Sequence, residues 1–345
     1  MKALVLEGIE KVVVRDVPVP QPAALGALVQ VKANGVCRSD WHMWNGDIPR
    51  DYPTILGHEM VGVIEEVSAG VTRFKRGDRV VVPFSSGDGT CDYCRRGLSN
   101  LCDKLMIPSR AYSGGYAEYV SVPLADQVLV PLPDEIGYTE GAALGCRFMT
   151  AFHGVASRAR ATAGEWVVVY GCGGIGLSAV NTAAALGCQV IGVDVNPANL
   201  ELARALGAIH TVDSRTTDPV AAVIDITQGG AHVSIDALGI AQTCVNGVRS
   251  LRKAGRHLQL GITTKAEKGY ISLPTDEMVK KEITFLGSHG MPAHEYASMM
   301  PLVASRRIQP ARMITREIAL SEVESIFRDM TTFSAVGTFV VTRFQ

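Results

Sequence analysis

A glycine-rich turn between an apolar strand and a helix constrains the fold of this chain more than any other segment. Gly171, Gly173 and Gly176 have the spacing G-x-G-x-x-G directly after the apolar run 166–170. In such a turn one glycine permits the tight bend, one lets the backbone approach a pyrophosphate, and one lets the helix pack on the strand. The turn therefore predicts a dinucleotide-binding α/β domain with contacts from Gly171, Gly173, Gly174, Ile175 and Gly176; the alternative is a turn that binds no ligand.

An acidic residue after the next strand strengthens this interpretation. Asp194 follows the apolar run 190–193, where a carboxylate accepts hydrogen bonds from the adenine ribose. The same charge repels a 2′-phosphate, and residues 195–197 contain no arginine, so the pattern favours NAD over NADP. Strands and helices alternate from residue 166 to a last strand at 282–287, which predicts a parallel sheet with helices on both faces.

The remainder of the chain has a different pattern of apolar residues and prolines. Residues 1–150 contain short apolar runs, such as 28–32 and 79–82, separated by prolines, and predict strands rather than long helices. Helical spacing follows over 139–160, and the tail contains a helix at 321–330, with a capping-box pattern at Ser321 and Glu324, and a strand at 337–343. We predict a first domain over 1–148, a dinucleotide domain over 149–288 and a return of 289–345 to the first domain.

The charge balance and the apolar pattern exclude several classes of partner. The chain has 33 Lys+Arg and 34 Asp+Glu, with no basic block, so no nucleic-acid partner is expected. Apolar runs end well before the ~20 residues of a membrane span, and the N-terminal segment lacks the apolar core of a signal peptide. We expect a cytoplasmic protein without a membrane partner. In that reducing compartment the eight cysteines are expected to be ligands or core thiols rather than disulfides.

Four residues carry the ligand types of a catalytic zinc site. Cys37, His58, Glu59 and Cys146 offer thiolate, imidazole and carboxylate, which hold zinc with one position left open. The alternative is that the thiols and the imidazole are ordinary core groups. A Lewis-acid metal beside a nicotinamide carrier favours hydride transfer between an alcohol and a carbonyl.

Several segments together resemble the zinc-dependent medium-chain alcohol dehydrogenase family. They are Gly-His-Glu-Met-Val-Gly at 57–62, Gly-Asp-Arg-Val at 77–80, Gly-Val-Cys-Arg-Ser-Asp at 35–40, Leu-Gly-Cys at 144–146, and the glycine turn with Asp194. The resemblance covers essentially the whole chain, and Ser68 is a minor departure where the family usually has Gly or Ala. It implies an α/β protein in which a Rossmann-type doubly wound parallel sheet accompanies a mainly β, GroES-like catalytic domain.

The resemblance also implies roles for individual residues. Cys37, His58 and Cys146 would hold the catalytic zinc, with Glu59 as a fourth ligand in some states or as a carboxylate close behind them. Zinc would polarise the alcohol or carbonyl oxygen, and the proton would leave from Ser39 through the cofactor ribose to His42. The alternative for Ser39 is a helix N-cap. Arg38 would contact the pyrophosphate or, alternatively, make a surface ion pair.

Arg147 follows Cys146 where relatives commonly have a small residue. It could contact the cofactor or an anionic substrate, or pair with a carboxylate. Large apolar side chains at matching positions predict a pocket for an apolar or aromatic alcohol, or else ordinary core packing: Trp41, Trp44, Ile48 and Phe84.

A second cysteine cluster resembles the structural zinc lobe of the family. Cys91, Cys94 and Cys102 have the spacing of its last three ligands, and Asp88 stands where the first cysteine is usual. A carboxylate can ligate zinc, although closed structural sites favour sulfur and imidazole. We predict a second, structural zinc at Asp88, Cys91, Cys94 and Cys102; otherwise the lobe is metal-free.

The leading hypothesis is an NAD-dependent zinc alcohol dehydrogenase or carbonyl reductase. Its partner would be a small-molecule alcohol, aldehyde or ketone, and the resemblance implies a homodimer or homotetramer. Two alternatives are a non-catalytic NAD(H)-binding sensor or structural protein on the same fold and a zinc-independent quinone reductase. The intact ligand set and proton path count against the first, and the three ligands and the thiol-rich lobe count against the second.

Overall fold

The computed structural model describes residues 1–264, 266–332 and 335–345. They form two compact units. The first contains Met1–Cys146, Gly290–Ala304 and Ile314–Gln345, and the second contains Arg147–His289 and Ser305–Met313.

The segment Ser305–Met313 belongs to the second unit, whereas the sequence pattern places all of 289–345 with the first. Two hydrogen bonds attach it there: Arg307 Nη2 donates to the carbonyl of Ala185 at 2.6 Å, and Gln309 N donates to Asn181 Oδ1 at 2.9 Å. Both acceptors are far from this segment in sequence, so no local sequence pattern predicts that the segment belongs to the second unit.

Of the sixteen strands in the described ranges, ten lie in the first unit, and six form the centre of the second. In chain order they are β1 Lys2–Gly8, β2 Lys11–Asp16, β3 Ala27–Gly35, β4 Thr54–Ile55, β5 Met60–Val67, β6 Arg79–Val82, β7 Tyr119–Val122, β8 Val130–Pro131, β9 Trp166–Tyr170, β10 Gln189–Asp194, β11 Ala208–Asp213, β12 Ala231–Asp236, β13 Leu251–Gln259, β14 Thr284–Gly287, β15 Ile314–Ala319 and β16 Thr338–Arg343.

Helices occur in both units, and the longest in the described ranges, Gly174–Ala185, lies in the second. The α-helices are α1 Arg38–Trp44, α2 Asp92–Arg95, α3 Ala125–Val128, α4 Tyr138–Ala143, α5 Cys146–Phe152, α6 Gly174–Ala185, α7 Pro197–Ala205, α8 Pro219–Thr227, α9 Ala241–Arg249, α10 Thr275–Lys281, α11 Tyr296–Ala304 and α12 Val323–Thr331. A π-helical segment, His153–Arg158, continues α5, and short 3-10 helices lie at Ser99–Leu101, Ala293–Glu295, Pro310–Met313 and Leu320–Glu322.

The second unit is a doubly wound α/β fold of the Rossmann type, as the alternating pattern predicts. Its six strands run parallel in the order β11-β10-β9-β12-β13-β14. The order reverses at β9, and the glycine turn follows that strand. In open sheets of this kind ligands bind at the carboxyl ends of the strands, where the order reverses.

The first unit is mainly β. A seven-stranded sheet has the order β15-β16-β3-β5-β6-β8 with β7 also paired to β3, and a smaller sheet has the order β2-β1-β4. Apolar side chains from these strands and from α1 and α12 form one buried core that includes Val29, Ile64, Val80 and Phe327. The hairpin of β1 and β2 is not evident in the sequence pattern, because β2 has no buried face that would produce alternation.

The predicted capping box at Ser321 and Glu324 is wrong. Glu322 Oε2 instead accepts the N–H of Ala319 at 2.7 Å. The 3-10 turn Leu320–Glu322 precedes α12, so the helical path begins before Ser321 and that residue cannot be its cap. None of the helices in the described ranges combines the length and the apolar character needed to cross a membrane.

Candidate metal centre and dinucleotide turn

Cys37, His58 and Cys146 meet in the first unit. One ligand atom from each lies within 4.8 Å of the other two. Cys37 and His58 are buried, and Cys146 is half-buried. Two thiols and an imidazole at this separation are a ligand set for zinc with a fourth position open.

Strand pairing brings the first two of these residues together. β3 and β5 are antiparallel, with Asn34 opposite Met60, so the residues that leave β3 run beside those that enter β5. Gly35 N donates to the carbonyl of Glu59 at 2.9 Å and extends this pairing toward Cys37 and His58. Cys146 arrives separately, at the start of α5.

Gly57 lets the chain pass close to its neighbours just before His58. Its φ of +97° is left-handed, and a Cβ atom there would lie 2.5 Å from Asn34 Nδ2 and 2.7 Å from Tyr116 N. Only glycine combines that conformation with that approach. A larger residue at position 57, directly before His58, would therefore clash with these neighbours.

Asp40 organises the centre from behind, a role that sequence reasoning missed. Its Oδ1 atom lies 2.9 Å from His58 Nδ1 and accepts Gly57 N at 3.1 Å, while Oδ2 accepts Tyr116 Oη at 2.9 Å. A carboxylate on Nδ1 holds the N–H there and directs the lone pair of Nε2 toward a metal. The only local signal was an acidic residue in the first turn of α1.

His58 Nε2 is the atom that most clearly lacks a ligand. It is buried, and none of the described residues forms a hydrogen bond with it. Burial by itself lowers the pKa of His58, but the charges of Asp40 and Cys37 raise it, and the net pKa lies well above the usual range. The charges of Asp40 and Cys37 therefore make the surroundings of this imidazole favourable for positive charge, whether a proton or a metal ion supplies it.

Glu59 and Tyr296 border the metal ligands. Glu59 is buried and packs closely on Gly35 and Gly145, but its carboxylate is outside the three-residue ligand group. Tyr296 on α11 is buried, and burial together with the charges of Cys146 and Glu59 raises the pKa of its phenol. Tyr296 therefore keeps its proton, and sequence reasoning missed it because it is remote in the chain.

Ser39 and His42 lie on α1, on the predicted proton path. Ser39 Oγ is 3.7 Å from Cys37 Sγ, so the hydroxyl is adjacent to the metal ligands. His42 Nδ1 is 2.9 Å from Asp47 Oδ2, and its ring is 41% exposed. Asp47, which the sequence did not indicate, thus orients an imidazole that can exchange protons with solvent.

The four side chains proposed for the substrate pocket differ in burial and in their contacts. The Phe84 ring lies 6.1 Å from the His58 ring, and Trp41 donates its indole N–H to Thr331 Oγ1 at 2.9 Å. Trp44 is buried against Phe327, and Ile48 is exposed.

Arg38 packs on α1 and α12. Its guanidinium carbon lies 4.4 Å from the centre of the Trp41 ring, and Nη1 donates to the carbonyl of Met330 at 3.1 Å. These contacts hold the start of α1 against the end of α12.

Three further thiols converge elsewhere in the first unit. Cys91 Sγ lies 3.7 Å from Cys94 Sγ and 3.8 Å from Cys102 Sγ. The backbone N–H groups of Cys94 and Asp103 lower the pKa of Cys91 to about 7, which favours the thiolate that binds metal. Asp88 Oδ1 is 3.4 Å from Cys102 Sγ, but the carboxylate also caps Thr90 N at 2.9 Å and is outside the three-thiol group.

The dinucleotide turn of the second unit has the expected local geometry. Gly171 has a φ of +86°, and a Cβ atom there would lie 2.5 Å from Leu238 Cγ. Helix α6 begins at Gly174, and its N-cap residue Gly173 has no side chain to accept from the first N–H groups. These donors and the helix dipole form a site for an anion.

Asp194, at the end of β10, braces this turn. Its Oδ2 atom accepts Cys172 N at 2.6 Å, and Oδ1 accepts Asn196 N at 2.7 Å. The carboxylate is therefore held beside the turn, where sequence reasoning expects it to meet a ribose. The cysteine within the turn, Cys172, is fully buried.

Comparisons with known proteins identify the family of this chain. The family model described as alcohol dehydrogenase GroES-like domain matches residues 24–134, and that described as zinc-binding dehydrogenase matches residues 174–305. An alcohol dehydrogenase of Geobacillus stearothermophilus is 36% identical over 84% of this chain and 84% of its own length. An NAD-dependent alcohol dehydrogenase of Sulfurisphaera tokodaii is 33% identical over 93% of this chain and 94% of its own length.

A solved structure extends the similarity to the whole fold. Alcohol dehydrogenase TADH from Thermus sp. ATN1 superposes with a TM-score of 0.93 at 30% identity, covering 99% of this chain and all of that one. At the level of the family, the prediction of zinc and NAD as cofactors is confirmed. The chain belongs to the zinc-dependent medium-chain alcohol dehydrogenase family of oxidoreductases.

Proposed function

We propose that this protein is a zinc- and NAD-dependent dehydrogenase that transfers hydride between NAD and a primary or secondary alcohol or its carbonyl. The observation that carries the proposal is the buried His58 Nε2, which has no hydrogen bond among the described residues and belongs to one group with two cysteine thiols. A buried imidazole nitrogen without a partner is costly unless a ligand occupies its lone pair.

The donor set fits zinc. Cys37, His58 and Cys146 supply two sulfurs and one nitrogen, and Asp40 fixes the tautomer that leaves Nε2 as a ligand. When bound, zinc supplies a Lewis acid that polarises an alcohol or carbonyl oxygen and leaves its own charge unchanged during the reaction. Glu59 remains our candidate for an occasional fourth ligand, because it is buried next to Gly35 and Gly145 beside the centre.

The donors of the second unit fit the phosphates and the ribose of NAD. The first turn of α6 offers N–H groups to the pyrophosphate, contributed around Gly173, Gly174 and Ile175. Asp194 offers its carboxylate to the adenine ribose. When bound, NAD accepts or donates the hydride. We further assign Arg38 to the pyrophosphate, in keeping with the suitability of a guanidinium for phosphate.

The first unit provides groups that can move a proton. The Ser39 hydroxyl is beside Cys37, and a hydroxyl can accept and donate a proton in one step of a relay. The His42 ring is partly exposed and is hydrogen-bonded to Asp47, so its other nitrogen can exchange a proton with water. We assign Ser39 to the inner end of the path and His42 to the outer end.

The side chains near the centre favour an apolar substrate. Phe84 faces the His58 ring edge to face, and Trp41 follows Asp40 on α1. Trp41, Trp44, Ile48 and Phe84 remain the proposed pocket set, although Trp44 is buried in the core against Phe327.

The three-thiol group supports a second, structural zinc. Sulfur atoms 3.7 and 3.8 Å apart are spaced as in a thiolate–zinc site, and Asp88 can complete the set by turning from Thr90 toward the metal. Such a zinc would stabilise a lobe whose single-turn helix α2 has no buried residues.

We also propose that the protein is a homodimer or a homotetramer. β14 is an edge strand of the six-stranded sheet, and Phe285 on it is 39% exposed. An exposed edge can pair with the same strand of a second copy across a two-fold axis. Light scattering of wild type and Phe285→Asp would test this: only wild type is expected to form the oligomer.

The catalytic proposal is tested by NADH formation over a panel of aliphatic, benzylic and polyol alcohols. Turnover that is lost on chelation and restored by zinc would support it. Bound NAD without turnover on any alcohol, aldehyde or ketone would contradict it and favour a non-catalytic NAD(H)-binding protein.

A further inference from the structure

Strand register in the second unit places an arginine beside the carboxylate that is proposed to meet the adenine ribose. Strands β10 and β11 are parallel neighbours, with Asp194 opposite Asp213, and Ser214 N donates to the carbonyl of Asp194 at 3.1 Å. Neighbouring strands of a sheet lie about 4.8 Å apart, so Arg215, the next residue, is close to Asp194 although it is distant in sequence. Residues 195–197 contain no arginine, but the fold brings one from the next strand.

Asp213 holds the side chain of this arginine. Arg215 Nη2 donates to Asp213 Oδ2 at 2.6 Å, and Arg215 Nε donates to Asp213 Oδ1 at 3.0 Å. The backbone N–H of Arg215 also donates to Oδ1 at 3.0 Å. The hydrogen bonds from Arg215 lower the pKa of Asp213 to about 2, so the carboxylate is ionised at neutral pH. One two-donor edge of the guanidinium is therefore occupied by a carboxylate.

This ion pair lies at the surface and can open. The side chain of Arg215 is 52% exposed and that of Asp213 is 25% exposed. Ser214 and Arg215 line a surface cleft of about 630 Å³, which leaves room for the guanidinium to turn. Exposed ion pairs contribute little to the free energy of unfolding, so the arrangement of these two side chains can change without loss of the fold.

The pair bears on the choice between NAD and NADP. Arginine is the side chain best suited to a phosphate, because its planar fork matches two phosphate oxygens. A 2′-phosphate on a ribose beside Asp194 would meet the negative charge of Asp213, while the guanidinium of Arg215 is already paired. Specificity is often built in this way, by arranging charges against the wrong ligand as well as contacts to the right one.

We propose that Asp213 is a specificity-determining residue, which keeps Arg215 from binding the 2′-phosphate of NADP and so strengthens the preference for NAD. This rests on the proposed use of NAD and on the assignment of Asp194 to the adenine ribose. Asp194 and Asp213 act differently: Asp194 repels the phosphate directly, whereas Asp213 also withholds the cation that would bind it.

The test compares ADP-ribose with 2′-phospho-ADP-ribose, which differ by one phosphate. The ratio of their association constants, measured by calorimetry on the full chain, cancels effects on the adenine and the pyrophosphate. The background is Asp194→Asn, in which direct repulsion by that carboxylate is removed. Adding Asp213→Asn should shift the ratio roughly tenfold toward 2′-phospho-ADP-ribose. Asparagine keeps an oxygen for the backbone N–H of Arg215 but releases the guanidinium.

Coupling between two substitutions shows whether Arg215 carries the effect. Arg215→Gln should change the ratio little while Asp213 is present, and should cancel most of the gain once Asp213→Asn is in place. The control is Asp225→Asn, which removes an exposed carboxylate on α8 of the same unit and should leave the ratio unchanged.

Two results would overturn the proposal. One is an unchanged ratio in Asp213→Asn, and the other is an equal effect of Arg215→Gln with and without Asp213→Asn, since removal of charge alone would then explain the data. Either result, with ADP-ribose and NAD still bound by wild type, would leave the proposed function intact. If wild type bound neither NAD nor ADP-ribose, the proposed function would fail along with this inference.

Discussion

Asp40 Oδ1 lies 2.9 Å from His58 Nδ1, and neither side chain is appreciably exposed. This buried pair links the helix that carries Ser39 and His42 to the histidine of the metal centre. It also ties both to Tyr116, whose hydroxyl donates to the other oxygen of Asp40 at 2.9 Å. Burial, followed by the charge of Asp40, raises the pKa of Tyr116, so this phenol remains a donor at any working pH.

Replacement of Asp40 should weaken the metal centre without touching a ligand. In Asp40→Asn the neutral amide stabilises the Nδ1–H tautomer of His58 less than the carboxylate does, and zinc affinity is expected to fall roughly 10- to 100-fold. Competition with a chromogenic chelator measures this. The exposed Asp51→Asn is the control and should behave like wild type. Wild-type zinc retention in Asp40→Asn would contradict the assigned role.

Removal of a zinc ligand should abolish metal binding without abolishing NAD binding. Cys37→Ala is expected to lose one zinc per chain and all alcohol oxidation, while NAD still binds, because the dinucleotide turn belongs to the second unit. Metal analysis and NAD titration on the same sample are the measurements. Cys188→Ala, at a buried thiol that bonds to the carbonyl of Thr162, is the matched control. An unchanged zinc count in Cys37→Ala would exclude it as a ligand.

The zinc content of the three-thiol lobe is expected to depend on ligation by Asp88. Asp88→Ala should lower the zinc count by one and reduce thermal stability, while the catalytic zinc stays bound. Asp92→Ala removes a carboxylate from the same lobe that pairs with Arg95 in solvent, so its zinc count should not change. Equal metal content in the two variants would show that Asp88 is not an essential ligand; a count of two per chain in both would mean that the three thiols suffice, and a count of one that the lobe is metal-free.

Proton exit should be visible in the pH profile. His42→Ala is expected to slow alcohol oxidation by up to roughly 100-fold near neutral pH, with a smaller loss at alkaline pH, where solvent base takes the proton directly. Asp47→Asn should give a milder defect of the same shape, because it alters only the orientation of the ring. A uniform loss across the pH range in His42→Ala would argue for a structural role.

Cofactor choice should change at Asp194 without collapse of the turn. Asp194→Asn keeps an oxygen for one of the two backbone donors, Cys172 N and Asn196 N, but removes the charge that repels a 2′-phosphate. The ratio of kcat/KM for NADP to that for NAD should rise at least roughly tenfold. Asp194→Ala should also weaken NAD, since both backbone bonds are lost. An unchanged preference in Asp194→Asn would refute the ribose assignment.

Local patterns were enough to predict the elements on which the sites lie. The strand Trp166–Tyr170, the turn at Gly171 and the helix from Gly174 were predictable because tight turns and helix starts depend on adjacent residues. The capping box at Ser321 failed for a related reason: the pattern is short, and a 3-10 turn that begins one residue earlier, at Leu320, satisfies the same helix end with Glu322.

By itself, the sequence determined the α/β class, the residue types of the two metal clusters and the dinucleotide turn, since these depend on composition and short spacing. Only the tertiary structure decided which distant groups surround them. Tyr116 reaches Asp40 across 76 positions, and Arg147 lies on Gly174. Such contacts depend on strand register and helix packing, which are properties of the whole chain, so no local pattern encodes them.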